Sequence, residues 1–124
     1  MDFVKDLQKL EKTRKSLITQ LRKKRLMVRG SYLQYYRKCG KLNCKCVKGK
    51  GHLFRRIAFS DKGHTRTIKI PKQDVAWIKK VTNNYRLFTQ LLQQLAQVNS
   101  QIKTLLIEAR DEMLTATKIL KDYL

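Results

Sequence analysis

The chain has 124 residues, 29 Lys+Arg against 9 Asp+Glu, a formal net charge of +20 and a pI near 10.3. Hydrophobic residues at 42% supply one small core, and no apolar run reaches the roughly 18–20 residues of a membrane span, so one compact domain without a membrane partner is expected. Three cysteines and an N-terminus (Met1-Asp2-Phe3-Val4-Lys5-Asp6) unlike a signal peptide argue against a secreted disulfide scaffold and for a cytoplasmic or nucleoid-associated protein that meets a polyanion.

The charge is concentrated. Residues 1–30 carry a net +7, residues 31–80 a net +12, and residues 81–124 only +1. Self-repulsion of that size opposes folding, and a polyanionic partner relieves it. The chain divides accordingly into an N-terminal helix (1–30), a basic module with the cysteines (31–71) and a long C-terminal helix (72–124).

Residues 3–28 read as a helix. Phe3, Leu7, Leu10, Leu17, Leu21 and Val28 recur at steps of three and four, with Arg14 and Lys24 at the two missing steps, and Gly30 as the stop. The opposite face is basic, with Lys12, Lys15, Arg22, Lys23 and Arg25.

The central module changes character. Ser31–Arg37 is aromatic-rich and reads as a strand; Leu53–Ser60 and Thr65–Ile70 flank the turn Asp61-Lys62-Gly63-His64 and read as a hairpin. Leu53, Arg55, Ile57 and Phe59 share one face of the first hairpin strand, and Arg66, Ile68 and Ile70 one face of the second. A three-stranded sheet packed on helix ends is the expectation, because an isolated hairpin is marginal in water.

From Ile78 onward the positions Ile78, Val81, Tyr85, Phe88, Leu92, Leu95, Asn99, Ile102, Leu106, Ala109, Met113, Ala116, Leu120 and Tyr123 alternate steps of three and four, and all but Asn99 are apolar. Such a seam predicts a coiled-coil helix with Asn99 as a buried amide that fixes register. Leu91, Val98, Leu105 and Ile119 widen the stripe. The expected fold is thus mainly α with a small β insertion: two long helices, about 40 and 75 Å, forming an antiparallel coiled-coil hairpin with the β-hairpin and cysteine knuckle at the turn. The shorter helix covers half of the longer one, so the stripe Leu105–Tyr123 is left for a homodimer or a helical protein partner.

The chemistry lies in Cys39, Cys44, Cys46 and His52, spaced C-x4-C-x-C-x5-H. Three thiolates and an imidazole form a tetrahedral set for Zn2+, with Gly40, Gly49 and Gly51 permitting tight turns and neighbouring lysines offsetting thiolate charge. His64 is an alternative fourth ligand. Reduced cysteines held in a compact loop without metal are the competing reading, and a redox cysteine the third, although no C-x-x-C pair supports it.

Around these ligands stand Tyr35, Tyr36, Arg37, Lys38, Lys41, Lys45, Lys48, Lys50, Arg55, Arg56, Lys62, Arg66 and Lys69, the candidate nucleic-acid contacts. Lys and Arg neutralise phosphates, and tyrosines bond the backbone or stack on unpaired bases; the hairpin entering a groove and the sheet face supporting a single strand are both open. No phosphate-binding glycine loop or H-E-x-x-H is present, and residues 31–80 hold only Asp61 and Asp74, too few carboxylates for metal-assisted phosphate chemistry. Catalysis is not expected.

The run Arg29-Gly30-Ser31, Tyr36-Arg37-Lys38-Cys39-Gly40-Lys41, Asn43-Cys44-Lys45-Cys46, Gly49 and His52, followed by the hairpin and Tyr85-Arg86, resembles a family of small uncharacterised bacterial, archaeal and phage proteins, over roughly residues 28–95. Members of that family usually continue the histidine with Gly-Pro, where this chain has Leu53-Phe54. The resemblance implies no established activity, and it implies an accessory role beside mobile genetic elements. Together these readings predict a non-enzymatic nucleic-acid-binding protein, DNA ahead of RNA, dimeric through its last helix. The alternative is an interaction subunit whose helix docks on a larger nucleic-acid enzyme.

Overall fold

The computed structural model describes residues 3–117 and Tyr123. In chain order it contains helix α1 (Phe3–Leu21), strand β1 (Ser31–Arg37), a 3-10 turn at Lys45–Lys48, strands β2 (His52–Asp61) and β3 (His64–Lys69), a second 3-10 turn at Lys72–Asp74, and helix α2 (Val75–Thr117). Among the described residues no helix is long and apolar enough to cross a membrane. Two compact units result: Met1–Lys24 with Phe88–Leu124, and Arg25–Leu87.

The expectation of two long helices folded as a coiled-coil hairpin is corrected. α2 is long, at 43 residues, but α1 has 19, and a three-stranded antiparallel sheet stands between them in the chain. α1 stops at Leu21 rather than near Val28 because the next four residues, Arg22-Lys23-Lys24-Arg25, are all cations. Continuing the helix would set Arg22 and Arg25 together at a spacing of three. Residues 26–28 instead find partners on α2: the Val28 N–H donates to the Val81 carbonyl at 3.2 Å, and Asn84 Nδ2 donates to the Leu26 carbonyl at 3.1 Å. Gly30 is therefore no helix stop. Its φ of +146° brings the chain into β1, where a Cβ would sit 2.8 Å from the Ala58 oxygen.

In the first unit Leu17 of α1 is buried with Leu91 and Val98 of α2, and Leu10, Leu21, Leu95 and Ile102 pack around them. The covered face of α2 differs by one residue from the heptad seam: Leu91 is 4% exposed where Leu92 is 47%. Asn99 is likewise exposed rather than buried, and its Oδ1 accepts from Arg14 Nε at 2.9 Å. The physical reason is the direction from which α1 arrives; periodicity reports an apolar stripe three residues wide and does not say which edge a partner covers. Leu106, Met113 and Leu114 stay exposed, while Ala116, Ile119 and Leu120 of the expected stripe lie outside the described side chains.

In the second unit the sheet order is β1-β2-β3. The strands fall close to where alternation places them, and the Ile70 N–H extends the ladder by donating to the Arg55 carbonyl at 2.8 Å. One face carries the cross-strand row Tyr32, Ile57 and Ile68. It packs on the start of α2: Ile57, Ile70 and Ile78 are buried together, with Tyr32, Phe59 and Val75 against them. Burying three isoleucines is worth roughly 1.5–3 kcal/mol each, which offsets the ordering cost a free hairpin cannot meet.

Candidate metal centre and basic sheet face

Residues 38–51 form the connection between β1 and β2, and the strand pairing closes it. Arg37 and His52 are cross-strand partners, so the loop leaves and returns at one point. Gly51 makes this closure possible: at its φ of +96°, a Cβ would lie 2.5 Å from the Arg37 carbonyl carbon. Within the loop the Cys44 N–H donates to the Lys41 carbonyl and the Val47 N–H to the Cys44 carbonyl, each at 3.2 Å, which winds the backbone around the sulfurs.

The result is a four-sided cluster. Cys39 Sγ lies 3.4 Å from Cys46 Sγ, Cys44 Sγ lies 3.3 Å from His52 Nε2, and the four ligand atoms all lie within 4.8 Å of one another. All three cysteines are free thiols; Cys39 is exposed, Cys44 half-buried and Cys46 buried. The arrangement is compatible with one metal ion bound by Cys39, Cys44, Cys46 and His52. His64, the alternative fourth ligand, is at the far end of the hairpin opposite Asp61, nine residues along β2 from His52, and is not in the cluster.

The surroundings shift two of the thiols down and the third up. The Lys41 N–H, and after it the Cys46 thiol, hold the Cys39 thiol below the usual thiol range. The Cys46 N–H, and after it the Cys46 thiol, do the same for Cys44. At Cys46 the Cys39 N–H, donating at 3.5 Å, pulls the thiol down, but burial and the neighbouring Cys39 and Cys44 sulfurs outweigh it, and the net direction is up. A bound cation would offset the repulsion among the sulfurs and favour the thiolate form of all three.

The other candidate contacts divide by position. Lys38, Lys41, Lys45, Lys48 and Lys50 are exposed on the loop, with Lys50 Nζ 5.7 Å from the Tyr36 ring centroid. Tyr35, Arg37, Arg56 and Lys69 share the exposed face of the sheet with His52, because Tyr35 pairs with Phe54, Arg37 with His52, and Arg56 with Lys69. Tyr36, Arg55 and Arg66 belong to the opposite face. There Arg55 is half-buried and Arg66 forms an ion pair with Asp61 at 3.1 Å. Lys62 sits in the hairpin turn at a φ of +51°.

Phe54 and Thr67 are absent from the sequence-derived set and touch its members, whereas Lys79 of α2 meets Tyr32 on the opposite face of the sheet. The Tyr35 and Phe54 rings stack at 5.5 Å with an interplanar angle of 18°. The Arg56 guanidinium carbon lies 5.3 Å from the Phe54 ring centroid, and Arg56 Nη1 donates to Thr67 Oγ1 at 3.3 Å. Lys79 Nζ lies 5.2 Å from the Tyr32 ring centroid. Alternation alone sets Phe54 and Arg56 on one face, which was the available signal; the partner opposite Phe54 depends on the register that the closed loop imposes.

Fold and site together define a small α/β chain with a Cys3His loop at one end of a basic antiparallel sheet. The chain belongs to the family described as a domain of unknown function, DUF6788, whose model matches residues 4–80. That match takes in α1, the whole sheet and the first turns of α2. No curated protein and no solved structure matches the chain.

Proposed function

We propose that this chain is a non-enzymatic nucleic-acid-binding protein, DNA ahead of RNA, in which a structural Zn2+ held by Cys39, Cys44, Cys46 and His52 makes the basic loop rigid. The observation that carries the reading is the pairing of Arg37 with His52, which joins the ligand cluster to the cationic sheet face. A tetrahedral zinc with Zn–S near 2.3 Å has S···S edges of roughly 3.8 Å, close to the cluster's spacing, and a closed set of four protein ligands leaves no open position for catalysis. Five loop lysines with Arg37, Arg56 and Lys69 then form one phosphate-binding surface. The accessory role beside a mobile genetic element, in the cytoplasm or on the nucleoid, comes from the family resemblance alone. Fluorescence anisotropy of labelled duplex DNA, single-stranded DNA and hairpin RNA across a salt series tests the reading. Affinity that falls steeply with log salt yet persists near physiological salt supports it, and weak binding that vanishes there overturns it.

A second reading is favoured by the exposure of Leu106, Met113 and Leu114 on α2. In it the last helix pairs with a second copy, or docks on a larger nucleic-acid enzyme that brings the basic module to its substrate. Sedimentation of the full chain separates the two: a stable dimer supports the homodimer, and a monomer supports the subunit.

A further inference from the structure

The exposed sheet face is not uniformly cationic. At its middle the Tyr35 and Phe54 rings stand side by side on neighbouring strands, stacked at 5.5 Å. Tyr35 is 37% exposed, and β1 is an edge strand, so among the described residues no further strand stands beside Tyr35 on the side away from Phe54. Along the strands this pair is bracketed by charge. Arg37 lies two residues beyond Tyr35 and Arg56 two residues beyond Phe54, each displaced by about 7 Å.

Arg56 is also held in place. Its guanidinium lies 5.3 Å from the Phe54 ring centroid and Nη1 donates to Thr67 Oγ1 at 3.3 Å; Nε is buried, so the donors this fixed plane offers beside Lys69 are those left on the two Nη atoms. A double helix hides the faces of its bases inside the stack and offers a flat aromatic ring nothing to lie against. Unpaired bases expose those faces, and every base has one. Rings flanked by cations on one open surface match the repeating base and phosphate of a single strand. They match a duplex backbone, which asks only for charge, less well.

From this geometry we infer that the outer sheet face takes single-stranded nucleic acid, with Tyr35 as the stacking surface for an unpaired base and Arg37, Arg56 and Lys69 on the adjoining phosphates. The inference rests on the nucleic-acid reading above and narrows it to a substrate class. It is distinct from ordinary cross-strand packing, in which the Tyr35–Phe54 pair serves stability alone.

The test uses the full chain and three labelled probes: oligothymidylate, oligouridylate and a mixed-sequence DNA duplex of equal length, titrated by fluorescence anisotropy at about 0.1 M salt. At least one single-stranded probe binds tenfold or more tightly than the duplex. Tyr35→Ala removes about 5- to 100-fold of that binding while leaving duplex binding in place, and Tyr35→Phe, which keeps the ring, recovers most of the loss. Thermal denaturation of both variants shows that they remain folded. Duplex bound as well as or better than both single strands overturns the inference and leaves the nucleic-acid reading standing. A single-strand preference that Tyr35→Ala does not alter overturns the stacking role. No binding to any probe overturns both.

Discussion

Arg37 and His52 face each other across β1 and β2, the last residue of one strand paired with the first of the next. Everything between them is therefore a closed loop with a width fixed at its base by a sheet ladder. That base lets Cys39, two residues past Arg37, meet Cys46 at 3.4 Å while Cys44 meets His52 itself at 3.3 Å. Three ligands come from the loop and one from the sheet, so a bound ion ties the loop's position to the strand that carries Phe54 and Arg56.

Metal content is the most direct consequence. The purified chain is expected to hold about one zinc per molecule by elemental analysis, and Cys46→Ser, which removes the buried sulfur, to hold almost none. Stripping the ion with a chelator should lower the melting temperature by several degrees, because binding energy in such a site is folding energy. A chain that carries no transition metal and melts identically with and without chelator would refute the metal centre.

Two glycines of the loop should respond oppositely to the same substitution. Gly51→Ala places a Cβ 2.5 Å from the Arg37 carbonyl carbon at a φ of +96°. The left-handed backbone alone costs about 1–2 kcal/mol for an L side chain, and the backbone contact adds to it, so a loss of about 2 kcal/mol or more is expected. Gly49→Ala meets nothing within 4 Å and starts from an extended φ of −136°, so denaturation curves should show little change.

In the helical unit the polar contact is the weak one and the apolar contact the strong one. Arg14 and Asn99 are both exposed, and a double-mutant cycle with alanine should give a coupling below about 1 kcal/mol. Leu17→Ala empties a side chain buried against Leu91 and Val98 and should cost about 2–4 kcal/mol by urea denaturation. Equal losses from the two changes would mean that the Leu17 cluster is not the core of this unit.

The neighbours Arg55 and Arg56 should separate in binding. Both are half-buried, but Arg56 lies on the outer face with Arg37 and Lys69, whereas Arg55 lies on the face that packs on α2. Arg56→Ala is expected to weaken nucleic-acid binding and to reduce the slope against log salt by about one unit. Arg55→Ala should change that slope little and act on stability instead. Anisotropy titrations of both variants over a salt series check the difference, and a larger slope change for Arg55 would reverse the assignment of faces.

Much of this was legible before any coordinates. Aromatic-rich composition located β1 and alternation about a turn located β2 and β3, because a half-buried sheet demands a period of two, and the C-x4-C-x-C-x5-H spacing marked the ligand loop because few other segments bring three thiols and an imidazole within reach of one ion. The long apolar period of α2 also stood in the residues themselves. What only the tertiary structure decided were the choices between near-equal local options. Residues 26–28 leave the helical path for Val81 and Asn84, which offer them hydrogen bonds. Leu91 and Val98, rather than Leu92 and Asn99, are the residues buried at α1 because its approach selects one edge of a wide stripe, leaving Asn99 at the exposed rim with Arg14. His52 joins the thiols and His64 does not, because the register sets them at opposite ends of the hairpin. Local pattern reports which elements form; distances between residues far apart in sequence are set by packing, which no single stretch of chain contains.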